Sequence, residues 1–80
     1  YVITDNEGIH ARPAGDLVKK VKTFSSKITL TKDDKTVDCR KILGVMGLGA
    51  KKGHEVTLTF EGPDEEAAYE EISKFMQENL

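Results

Sequence analysis

Eighty residues bound the chain to one small domain, residues 1–80, with mass for a single core but not for a deep substrate cleft, so a site is expected at the surface. The net charge of −2 conceals an asymmetry: residues 1–52 carry +5 and residues 53–80 carry −7, a pattern suited to an electrostatically steered partner on the basic part. The single cysteine excludes an internal disulfide framework, no run is apolar enough to span a membrane, and no signal peptide heads the sequence, so a cytoplasmic protein without membrane insertion is expected.

Tyr1-Val2-Ile3-Thr4 is aromatic and β-branched and predicts a short strand with Tyr1 and Ile3 on one face. A turn cluster, Asp5-Asn6-Glu7-Gly8, leads to Ile9-His10-Ala11-Arg12-Pro13-Ala14. Proline has a preset φ and no N–H, so Pro13 belongs in a first helical turn, and His10 then lies at or just before the helix start. Unpaired amides and the positive end of the helix dipole at such a point attract an anion, and Arg12 adds a planar cation shaped for phosphate or carboxylate oxygens. A solvated histidine beside a solvated arginine is the plainer reading of this motif taken alone.

Ala14, Leu17, Val18 and Val21 repeat at the spacing of one helix face, with Lys19, Lys20 and Lys22 on the others, until Phe24 closes the helix and Ser25-Ser26 breaks it. Alternation over Lys27–Lys32 turns Ile28 and Leu30 inward. The Asp33-Asp34 turn follows, and Lys35–Cys39 resumes with Val37 and Cys39 inward, which predicts a hairpin with one wet face. Cys39 reads as a small buried filler. Ile42, Leu43, Val45, Met46 and Leu48 are too many apolar residues for one face of a two-turn helix. With three glycines among them, the stretch is either a buried glycine-rich loop or an exposed apolar docking patch.

After the basic loop Ala50–His54, the segment Glu55–Glu61 alternates Val56, Leu58 and Phe60 against threonines and predicts a strand. His54 has no ligand-spaced Cys or His and reads as a surface residue rather than a metal ligand. Gly62-Pro63-Asp64 ends the strand and starts an acidic helix whose buried stripe is Ala68, Ile72, Phe75, Met76 and Leu80. The order β-α-β-β-α-β-α with threonine-rich strand faces predicts an α+β open-faced β-sandwich: a four-stranded, mostly antiparallel sheet with three helices on one face.

Gly8–Ala14, then Ile42–Gly49 at the expected distance, then a closing strand and acidic helix, resemble HPr, the histidine-containing phosphocarrier family of the bacterial phosphoenolpyruvate-dependent sugar phosphotransferase system. The resemblance runs essentially end to end and implies the same open-faced sandwich. It implies a phosphoryl carrier rather than an enzyme, with His10 accepting the group on Nδ1 from enzyme I and passing it to a sugar-specific enzyme IIA. Arg12 matches the motif arginine that helps hold the group; Lys19 and Lys22 match basic positions near the docking face; Ile42, Leu43 and Met46 match the short helix that contacts both partners. A monomer is expected, with no cofactor. Imidazole, titrating near pH 6.5 when unperturbed, is nucleophilic near neutrality and suits the attack.

This chain departs from the family pattern in places. Where many Gram-positive members carry a regulatory serine, it has Lys41, an amine that cannot accept the stable ester formed by the serine kinase. Glu7 replaces the usual Asn or Ser, and its carboxylate is expected to repel a phosphoryl group; Asp16 is expected to weaken docking to an acidic partner. The competing reading is a regulatory module of the same fold that binds a kinase or transcription factor without carrying phosphate. Nucleic-acid binding is disfavoured because the two tyrosines and three phenylalanines are not interleaved with basic residues.

Overall fold

In the computed structural model, which describes residues 1–80, the elements run α1 (Ala11–Val21), β1 (Lys27–Lys32), β2 (Lys35–Asp38), α2 (Ile42–Gly47), β3 (Thr57–Glu61) and α3 (Glu65–Asn79). β1 is the central strand of a fully antiparallel sheet of order β2-β1-β3, with Leu30 opposite Val37 on one side and Leu58 on the other. Period-two alternation sends Ile28 and Leu30 into the core and leaves Thr57 and Thr59 in solvent. The helices cover the apolar face: Leu17 and Val21 of α1 and Ile72 and Met76 of α3 join Ile28, Leu30, Cys39 and Val56 in one cluster.

The sheet has three strands, not the expected four. The first segment alternates as predicted, with Ile3 buried and Val2 and Thr4 exposed, but it contributes one antiparallel bridge, Val2 to Glu55. Tyr1 exchanges bonds with Val56, its terminal amine donating at 2.7 Å and its carbonyl accepting at 2.8 Å, and Ile3 N–H donates to His54 O at 3.0 Å. The pairing stops there because the next amides turn elsewhere: those of Thr4 and Asp5 both donate to the Leu80 carbonyl. Residues 55 and 56 are thereby engaged with the N-terminal segment, and β3 begins at Thr57 rather than Glu55.

Asp64 fastens α3 to the segment that links α1 to β1. Its carboxylate accepts the amides of Ser25 and Ser26, each at 2.8 Å, and the hydroxyl of the fully buried Ser26. The Ser26 hydroxyl first, and the Ser25 amide next, hold this carboxyl below the usual aspartate range. No helix is long and apolar enough to cross a membrane.

Candidate functional site at the start of the first helix

A glycine sets the approach to α1. Gly8 has φ +67°, and a Cβ there would lie 2.4 Å from the Ala50 carbonyl oxygen and 2.7 Å from Lys51 Cα, so a side chain is excluded by both conformation and space. The turn before it is pinned by two bonds to Asp5: Glu7 N–H donates to its carboxylate at 2.8 Å and Gly8 N–H to its carbonyl at 3.0 Å. Ile9 is buried and donates its amide to Ala50 O at 2.9 Å. The chain thus arrives at His10 from a fixed direction.

His10 is the N-cap of α1, in extended conformation (φ −110°, ψ −177°), and its ring caps no amide. Its carbonyl accepts the first helical bond, from Ala14 N–H at 3.0 Å. Pro13 has no amide hydrogen, and the amides of Ala11 and Arg12 donate to no group of the chain. Two free N–H groups therefore stand at the positive end of an 11-residue helix whose first turn holds no acidic residue. The imidazole is 38% exposed, enough for an incoming group to reach it. Arg12 is exposed and takes part in neither of the two side-chain pairs in which a carboxylate meets a basic group, His10–Glu7 and Lys20–Glu71.

Sequence reasoning did not anticipate the first of those pairs. Glu7 Oε2 lies 3.2 Å from Nε2 of His10, so the carboxylate expected to face a phosphoryl group sits against the ring nitrogen that the resemblance does not assign to phosphate. An i,i+3 spacing across a turn gives no side-chain direction, and nothing in the residue pattern would have revealed it.

The apolar, glycine-bearing stretch that follows Lys41 lies alongside α1. Ile42–Gly47 is helical, with Val45 buried as its anchor and Leu48 buried just beyond. Ile42, Leu43 and Met46 remain 38%, 81% and 37% exposed, so of the two readings left open by the sequence the exposed apolar patch is the one formed. A Cβ added at Gly15 would touch Ile42 Cδ1 at 3.7 Å, which shows how closely α2 approaches α1. Gly15 is five residues past His10, about 7.5 Å along the helix axis. Lys41 is the exposed N-cap residue of α2 and makes no side-chain cap bond. Lys19 and Lys22 are exposed and outside both pairs, whereas Lys20 is engaged by Glu71 at 3.3 Å. Asp16 is exposed on the same helix.

The principal surface depressions are lined by residues other than His10 and Arg12. A group outside the main depressions is better suited to a reactant that another macromolecule presents than to a small molecule that must be enclosed. His54 is half-buried and its Nδ1 accepts the Lys51 amide at 3.0 Å.

Comparison with known proteins agrees with this fold. The family described as "PTS HPr component phosphorylation site" matches residues 1–78. Phosphocarrier protein HPr of Lysinibacillus sphaericus is 42% identical over 78 residues, covering 98% of this chain and 89% of that protein. The solved histidine-containing phosphocarrier protein of Mycoplasma superposes with a TM-score of 0.93 at 38% identity, over 96% of this chain and 88% of that one. Crh, a catabolite-repression protein of Bacillus subtilis solved as a domain-swapped dimer, superposes with a TM-score of 0.84 at 36% identity, over 100% of this chain and 92% of that one.

Proposed function

Because the chain belongs to the HPr family of phosphocarrier proteins, we propose that Nδ1 of His10 is the atom that carries the phosphoryl group, accepting it from enzyme I and passing it to a sugar-specific enzyme IIA. The observation that carries this reading is the half-exposed N-cap imidazole standing before two unengaged amides and an unpaired guanidinium. In the accepting step the phosphorus–nitrogen bond of the donor phosphohistidine breaks and its electron pair returns to the donor ring. The lone pair of His10 Nδ1 forms the new phosphorus–nitrogen bond. The amides of Ala11 and Arg12 and the Arg12 guanidinium share the charge of the phosphoryl oxygens.

A carrier must release what it accepts. Donor and acceptor are both N-phosphorylated imidazoles, so the exchange is close to thermoneutral, and a partly solvated site stabilises the group moderately instead of trapping it. Ile42, Leu43 and Met46 supply the apolar centre of the docking face, and Arg12, Lys19 and Lys22 supply its basic rim. The protein meets its two partners in turn, as a monomer, through this one face.

The test is phosphorylation by phosphoenolpyruvate and purified enzyme I. One acid-labile phosphate per chain is expected, absent in His10→Ala and acquired at least tenfold more slowly in Arg12→Ala, the order expected for loss of a charged donor. Full-rate labelling of Arg12→Ala would remove the guanidinium from the site. The likeness to Crh supports a second reading, a regulatory module that binds without carrying phosphate; no labelling by several enzymes I would favour it.

A further inference from the structure

We infer that Glu7 is a positioning residue for the transfer: its carboxylate keeps the imidazole proton on Nε2, so that Nδ1 is the nucleophile when the phosphoryl group arrives and a neutral imidazole is the leaving group when it departs. This deepens the carrier reading of His10 and rests on it. The geometry is on one side of the ring. Glu7 Oε2 is 3.2 Å from Nε2, a charge contact and not an aligned hydrogen bond, and a negative charge so close favours a proton over a lone pair on that nitrogen, so the tautomer protonated at Nε2 is favoured. Asp5, the other carboxylate of the turn, is occupied at Oδ1 by the Glu7 amide at 2.8 Å, a bond that also fixes the backbone from which the Glu7 side chain springs.

The consequence for the chemistry follows from where electrons go. When His10 attacks, the Nδ1 lone pair forms the phosphorus–nitrogen bond, the proton stays on Nε2, and the ring becomes a phosphoimidazolium. That cation faces a carboxylate, which favours the protonated state. When the group moves on, the phosphorus–nitrogen bond breaks, its electron pair returns to Nδ1, and the ring leaves neutral with the same proton still on Nε2. No proton is exchanged in either direction. Were Nε2 deprotonated in the phosphorylated state, the pair would have to depart on an imidazolate, a far poorer leaving group. The added carboxylate therefore acts from the far side of the ring to keep the group mobile, opposite in sign to the repulsion its charge alone suggests.

Glu7 is exposed, so its replacement leaves the core intact, and the effect has the weight of a solvated pair, roughly threefold to fivefold. Nitrogen-15 NMR of His10 in mildly alkaline solution reads the tautomer without any phosphotransfer partner. The full chain is expected to hold the proton mainly on Nε2, Glu7→Ala to shift roughly threefold to fivefold toward the Nδ1–H form, and Glu7→Gln, which can still offer an acceptor, to recover part of the preference. In a second measurement, phospho-His10 of Glu7→Ala is expected to donate to an acceptor histidine roughly threefold to fivefold more slowly than the unaltered chain. An unchanged tautomer in Glu7→Ala overturns the inference whatever the rates, and so does a shifted tautomer with donation unchanged or faster. Failure of the unaltered chain to become phosphorylated at His10 overturns the carrier reading instead, a result that the tautomer measurement cannot produce.

Discussion

Burial and, after it, the neighbouring Asp38 carboxylate push the Cys39 thiol up to about 12, so this side chain stays protonated where an exposed thiol would ionise. It is fully buried between β2 and α2, and a thiolate there would lose its hydration. In the unfolded chain the same thiol ionises near 9, so between about 9 and 12 the native state holds a proton that the unfolded state has released. The stability contributed by this group is complete below the lower value and is lost as pH rises through the window. Denaturant titrations of the full chain are therefore expected to show a falling alkaline limb that Cys39→Ala flattens, and an alkylating reagent should modify Cys39 only at the rate of unfolding. Fast modification under native conditions, with the alkaline limb unaltered by the substitution, would show that this thiol is not sealed.

The turn into α1 is the element on which the site's geometry depends, because it fixes both the direction of His10 and the freedom of the amides beyond it. Gly8→Ala combines a left-handed backbone, unfavourable for alanine by about 1–2 kcal/mol, with a methyl group driven against the Ala50 carbonyl at 2.4 Å. Together with overpacking the cost is about 3 kcal/mol, and a melting temperature lowered by about 15 °C is expected for a chain of this length. A change under about 4 °C would mean that the loop at Ala50 yields easily. This turn was legible as a turn, but its partner was not: Ala50 is forty-two positions away, and only the fold brings its carbonyl to Gly8. α1, the hairpin and α3 could be read because a single face of each is buried, which writes a period of 3.6 or 2 into the residues. The sequence 42–48 lacks that periodicity, since an exposed apolar patch and a buried anchor share two turns, so its burial stayed open until its packing on Gly15 and Val37 was seen. The first strand failed for a related reason: alternation predicts which residues point inward, and Ile3 does, but the length of a ladder depends on what the next amides bond, here the Leu80 carbonyl.

Across the whole molecule the charge division has a structural counterpart. Lys19 on α1 and Lys22 at its C-cap stand unpaired, while the acids of α3 meet α1 at Lys20, where the 3.3 Å pair with Glu71 cancels one cation. The molecule measures 33 × 25 × 18 Å, and at physiological ionic strength fields fade within about 8 Å. An acidic partner approaching α1 and α2 therefore meets Arg12, Lys19, Lys22 and Lys41 together with the opposing Asp16, with the remaining acids of α3 contributing less. Steering by such a patch would act on encounter, whereas an apolar contact through Leu43 and Met46 would act once water has been expelled. The two contributions separate on a salt axis. Lys19→Glu with Lys22→Glu is expected to slow association with enzyme I on the order of tenfold at low salt and to converge on the unaltered chain near 1 M, where the Debye length falls to about 3 Å. Met46→Asp should weaken binding at every salt concentration, because a carboxylate in the apolar centre must be desolvated whether or not counterions are present. Lys27→Glu with Lys35→Glu, both exposed on the hairpin strands β1 and β2, changes the net charge by the same amount and serves as the control for net charge alone. If that control slows association as much as the α1 pair, steering is a property of total charge and the α1 face loses its special place; if the deficit of the α1 pair persists unchanged at high salt, those lysines work by contact.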